Sequence, residues 1–95
     1  AKGIAVSVDA TDPTVQRFAL SSGAAYLNDI RGFPDPVMHE ELARSSCRLI
    51  AMHSVTVGET ASLVDTDPTT VLDGILRFFD RLLVRMAAHG IRRDR

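Results

Sequence analysis

Three short apolar runs in this 95-residue chain end on polar side chains able to do chemistry. The first run ends at Asp9, the second at Asn28 and Asp29, the third at His53 and Ser54. A carboxylate only accepts hydrogen bonds, a carboxamide both donates and accepts, and an imidazole titrates near neutral pH. Any one of these ends, taken alone, is an ordinary turn opener. Three of them in the same place relative to an apolar run point to a binding or catalytic site.

Strand parity sorts these residues, because side chains alternate faces along an extended chain. Asn28 shares a face with Tyr26 and Ile30, while Asp29 points the other way. Met52 shares a face with Ile50, and His53 opposes it. With Asn28 facing a pocket, Asp29 is expected to pair locally, capping backbone N–H groups of the following turn. His53 fits either a turn or supporting role, or a catalytic base.

The elements that position these residues follow from pattern. The runs Ile4 to Val8, Ala24 to Leu27 and Leu49 to Met52 are too short for helices and are bounded by turn residues, so they read as strands. Asp-Pro occurs at Asp12-Pro13, Asp35-Pro36 and Asp67-Pro68, each before helical spacing of apolar residues. Asp accepts from an orphan N–H at a helix start, and Pro suits the first helical position. Helices are therefore expected from Pro13 to Ser22, from Pro36 to Ser45 and from Pro68 to His89. Val15, Phe18 and Ala19 would face inward on the first, Met38 and Leu42 on the second. On the third the inward stripe would run Leu72, Ile75, Leu76, Phe79, Leu82, Leu83 and Met86. The order β-α-β-α-β-α predicts an α/β fold with parallel strands and right-handed crossovers. All three polar ends then lie at the carboxyl edge of one sheet, where such folds bind substrate. The stretch from Ser54 to Ser62 reads as a flap at that edge.

Bulk properties narrow the function. Hydrophobic residues make up 45% and charged residues 24%, which is globular composition, and the net charge is -1. Nucleic acid and membrane surfaces are poor partners for such a chain. The basic end, Arg92 to Arg95, reads as a solvated helix end. A single cysteine, Cys47, fits a reducing, cytoplasmic setting and reads as inert. No apolar stretch has membrane-spanning length. His39, His53 and His89 lack metal-ligand spacing, so no metal ligand is assigned within this segment. The chain opens on Ala1 inside folded-looking sequence and reads as a piece of a longer protein.

Three stretches resemble successive strand motifs of the dihydropteroate synthases: Ser7-Val8-Asp9, Tyr26-Leu27-Asn28-Asp29-Ile30, and Leu49-Ile50-Ala51-Met52-His53. The run from Leu27 to Asp35 and the run Met52-His53-Ser54-Val55 are similar to the sulfonamide-insensitive form. The resemblance spans essentially all 95 residues as about three βα units, the third to fifth, of a (βα)8 TIM barrel. It implies the joining of 6-hydroxymethyl-7,8-dihydropterin diphosphate to 4-aminobenzoate in folate biosynthesis, with Mg²⁺ assisting at the diphosphate. It further implies that Asp9 and Asn28 bind the pterin, with Ile30 and Met52 walling its ring. Catalytic residues are not assigned. Ala10 stands where the family usually carries Thr or Ser, which removes a hydroxyl from that loop. The family's metal-holding Asn region and its later diphosphate-binding segments have no counterpart in these residues. The isolated chain is thus expected to lack synthase activity, and its open sheet edges to favour a homodimer or a swapped oligomer. A pterin-dependent methyl-transfer barrel and a non-enzymatic assembly module are the alternatives.

Overall fold

Asp12 and Asp35 begin helices as their Asp-Pro pairs suggest: their Oδ1 atoms accept from the amides of Thr14 (2.7 Å) and Val37 (2.9 Å). The computed structural model describes residues 3–53 and 67–95. Its order is β1 (Ser7–Asp9), α1 (Pro13–Ser21), β2 (Tyr26–Asp29), α2 (Pro36–Arg44), β3 (Arg48–Ala51) and α3 (Val71–Ala88). The strands form one parallel sheet in the order β1-β2-β3. The α/β architecture expected from the sequence is therefore present. The expected flap from Ser54 to Ser62 lies outside the described residues.

Three expectations are corrected. The first concerns the third Asp-Pro pair. Asp67 Oδ1 accepts from the Thr69 amide at 2.9 Å, the same local bond that the other two make. Here that bond opens a turn, and α3 begins only at Val71. The second concerns which helix faces point inward. On α1, Val15 and Phe18 are exposed, and Gln16 is buried with Ala19 instead. On α3, Leu72 and Leu76 are exposed, and the buried pair is Leu82 and Met86. Periodicity finds an apolar stripe, but what packs against it decides which part is covered. On α1 the exposed part lies beside β1, where Val15 and Phe18 line a shallow groove with Val6 and Val8. The third concerns the basic end. Arg95 is half-buried, and its guanidinium donates to the carbonyls of Leu42 (2.8 Å) and Cys47 (2.7 Å).

The helices cover one face of the sheet. Leu27, Leu42 and Leu82, each essentially fully buried, anchor the core between β2, α2 and α3. Burial of such a side chain contributes about 2 kcal/mol. Met38 faces inward as its spacing predicts. An exposed pair, Arg17 with Glu41, joins α1 to α2 through two hydrogen bonds at 2.9 and 2.8 Å. Cys47 is buried, and desolvation pushes its thiol pKa up, partly offset by Arg95. A thiol so held is a poor nucleophile.

The turn between β2 and α2 is the most constrained in the chain. Gly32 (φ 70°) and Phe33 (φ 54°) both lie in the left-handed region, which a bulky side chain seldom enters. A Cβ on Gly32 would stand 2.6 Å from the Phe78 ring and 2.9 Å from the Met52 carbonyl oxygen. Glycine is thus required there both for its backbone angle and for space.

Candidate functional site

The uncovered face of the sheet is built by register. Asp9 pairs with Asn28, and Asn28 with Ile50, so the three stand in one row across the strands. One row below are Ser7, Tyr26 and Arg48. Beyond the upper row, Ile30 follows the end of β2 and Met52 follows the end of β3. Asp9, Ile50 and Met52 are exposed, while Asn28 and Ile30 are half-buried. The structure brings Asp9 and Asn28 together with Ile50 beside them, while Ile30 and Met52 lie just past the ends of β2 and β3. Ile50 was not singled out from the sequence as a site residue. Its parity with Met52 was the available signal, and the register adds its place beside Asn28.

Asn28 carries the most informative atom. Its Oδ1 is buried with no hydrogen-bond partner among the described residues. An unpaired buried acceptor costs about 1–3 kcal/mol, which a bound donor would recover. Its main-chain carbonyl is committed elsewhere, accepting from the Ala10 amide at 3.1 Å.

Asp29 lies on the covered face and is fully used. Its Oδ1 accepts from the Arg31 amide (2.8 Å). Its Oδ2 accepts from the Phe33 amide (3.2 Å) and from Gln16 Nε2 (3.0 Å). The carboxylate therefore holds the left-handed turn. The Asp29 carbonyl also accepts from the Met52 amide at 3.2 Å, which fixes the end of β3.

His53 stays off the Asp9–Asn28 face. Its ring packs edge-on against Phe78 of α3, with centroids 5.0 Å apart. Two buried polar residues escaped sequence reasoning, Gln16 and His39. His39 Nε2 donates to the Phe33 carbonyl at 2.6 Å, while its Nδ1 is buried without a partner. No local motif marks either residue, because their partners come from other parts of the chain.

Among the described residues there is no group of three or more His, Cys, Asp or Glu side chains able to hold an ion. Asp29 has spent its oxygens on three donors. The site is an open sheet face rather than an enclosed cavity. A cavity of about 300 Å³ lies between the two site loops, lined by Thr11, Gln16, Arg31 and Asp35 among others, and is separate from the Asp9–Asn28 row. No described helix is long and apolar enough to cross a membrane.

Comparison with known proteins identifies the family of the chain. A family model described as pterin binding enzyme matches residues 1–95. The chain is 45% identical over 95 residues to the type-2 dihydropteroate synthase of Escherichia coli, covering 100% of this chain and 35% of that protein. It is 38% identical over 94 residues to the type-3 dihydropteroate synthase of Escherichia coli, covering 99% and 36%. It is 41% identical over 91 residues to the type-1 dihydropteroate synthase of Pseudomonas aeruginosa, covering 95% and 33%. The chain thus spans about a third of the length of the curated relatives it matches.

Proposed function

The chain belongs to the pterin-binding enzyme family, and from that premise we propose that it forms three consecutive βα units of a dihydropteroate synthase barrel. The complete enzyme joins 6-hydroxymethyl-7,8-dihydropterin diphosphate to 4-aminobenzoate. A C–N bond forms to the arylamine as the C–O bond to diphosphate breaks. The observation that carries the reading is the unpaired, buried Oδ1 of Asn28, in register beside the exposed carboxylate of Asp9.

In this reading the pterin lies on the uncovered face. Its ring N–H and amino groups run along one edge, and Asp9 and Asn28 accept from them. Ile30 and Met52 wall the ring, and Ile50 supports it from below. These apolar neighbours exclude water and so strengthen the hydrogen bonds. The contribution of these residues to rate is positioning, holding the pterin so that its reactive carbon meets the incoming amine. Mg²⁺, where the complete enzyme uses it, supplies charge neutralisation at the departing diphosphate. No step through it is assigned to the residues described here.

The finer parts of the proposal rest on separate grounds. The similarity of Leu27 to Asp35 to the sulfonamide-insensitive form supports resistance to sulfonamides. A single, buried, unreactive Cys47 supports a cytoplasmic setting. The outer strands β1 and β3, together with the exposed Val15 and Phe18 of α1 and Leu72 and Leu76 of α3, support self-association of the 95-residue piece on its own.

The test is incorporation of labelled 4-aminobenzoate by the complete enzyme supplied with pterin diphosphate. Labelled dihydropteroate is expected, and Asp9→Ala is expected to raise KM for the pterin. Absence of labelled product would remove the assignment.

A further inference from the structure

Gln16, on the first turn of α1, is a polar side chain that is only 2% exposed. Its Nε2 donates twice, to the Ala10 carbonyl at 2.8 Å and to Asp29 Oδ2 at 3.0 Å. A carboxamide nitrogen carries two hydrogens, and both are used. The two acceptors are not arbitrary. Ala10 directly follows Asp9, and Asp29 directly follows Asn28. One side chain on the covered side therefore ties the Ala10 carbonyl to the Asp29 carboxylate, each belonging to the residue just past a candidate pterin contact.

The consequence is geometric. Asp9 is exposed, at the end of a three-residue strand, with only Ala10 to Asp12 between it and α1. The aim of its carboxylate follows the backbone at Ala10. Two bonds fix that backbone: the Ala10 amide to the Asn28 carbonyl (3.1 Å), and the Ala10 carbonyl to Gln16. The second bond joins the same amide group that holds Asp29, so it sets the loop after β1 against the turn after β2. We propose that Gln16 is a positioning residue for pterin binding, fixing the spacing and angle of Asp9 relative to Asn28 without touching the ligand. The inference rests on the reading of Asp9 and Asn28 as the pterin contacts.

The test is a double-mutant cycle in the complete enzyme, with Kd for 6-hydroxymethyl-7,8-dihydropterin diphosphate measured by calorimetry. Gln16→Met keeps the length and removes both donors. It is expected to weaken binding by about tenfold, because small misplacements of paired contacts are costly. In an Asp9→Ala background the same change is expected to cost about threefold or less, since one of the two aligned groups is gone. A purely structural role would give equal losses in both backgrounds and would overturn the inference, as would unchanged affinity in folded Gln16→Met. Gln16→Asn, an amide one methylene shorter that cannot span both acceptors, serves the same cycle where the methionine variant fails to fold. Should Asp9→Ala and Asn28→Ala both bind normally, the pterin reading itself falls. If they bind weakly while Gln16→Met binds normally, only the role of Gln16 falls.

Discussion

The two faces of the sheet treat adjacent residues of one strand in opposite ways. On the covered face the Asp29 carboxylate takes three hydrogen bonds, from the amides of Arg31 and Phe33 and from Gln16. On the uncovered face the carboxamide oxygen of Asn28 takes none. Buried polar groups in native proteins are nearly always paired, so the contrast separates two jobs. A saturated group holds the fold. An unpaired acceptor in register beside a carboxylate and Ile50 is the group that the proposed pterin site would use.

Substitution at Asp29 should have the largest effect. Asp29→Ala strands the buried Phe33 amide, the part-buried Arg31 amide and the Gln16 side chain, and is expected to lower stability by roughly 3 kcal/mol. The midpoint of denaturant unfolding reads this directly. A loss under about 1 kcal/mol would break the distinction between the faces. Asn28→Ala removes a carboxamide oxygen that has no partner among the described residues. Stability should fall by no more than about 1 kcal/mol and can rise, while pterin affinity falls about 10- to 100-fold, corresponding to one or two lost hydrogen bonds. The reverse pattern, a destabilised protein with intact affinity, would exchange the two roles.

A smaller effect should come from pH, again on the covered side. Desolvation of the buried His39 ring holds its pKa below the ordinary 6.5, and Arg85 and His89 act in the same direction. The hydrogen bond to the Phe33 carbonyl and the charge of Asp35 oppose them without prevailing. Between the folded and unfolded pKa values the unfolded chain binds more protons, so stability rises with pH across that window. The His39 contribution is complete above about pH 6.5 and is lost as pH falls below it. Unfolding midpoints between pH 5 and 7 should show this slope in the native protein and a flatter one in His39→Gln. Equal slopes would remove His39 as the cause. The upper row of the uncovered face, Asp9, Asn28 and Ile50, holds no histidine.

Local features of this fold were legible in the sequence. Asp12-Pro13 and Asp35-Pro36 mark helix starts because the capping bond is made within three residues. Parity separated Asn28 from Asp29 because alternation is a property of the strand alone. Features set by distant partners were not legible. Gln16 looks like a surface residue until Asp29, thirteen positions on, arrives beside it. Val15 and Phe18 have core composition and are nonetheless exposed, because the outer edge of β1 has nothing packed beyond it among the described residues. Asp67 makes the expected bond with Thr69, yet helix geometry begins only at Val71. A side-chain bond opens a turn, and whether a helix follows at once depends on the residues after it.

The strand order β1-β2-β3 has a consequence for how the chain acquires its structure. Each strand pairs with the next one in sequence, at a separation of roughly twenty residues, so loop closure is cheap at every step. During synthesis each βα unit can dock onto the last as soon as it leaves the ribosome, without waiting for distant segments. The face bearing Asp9 and Asn28 gains nothing from this growth, because each new helix adds to the other side. The ligand face therefore depends for its covering on what lies across it, and not on the βα growth that builds the other side.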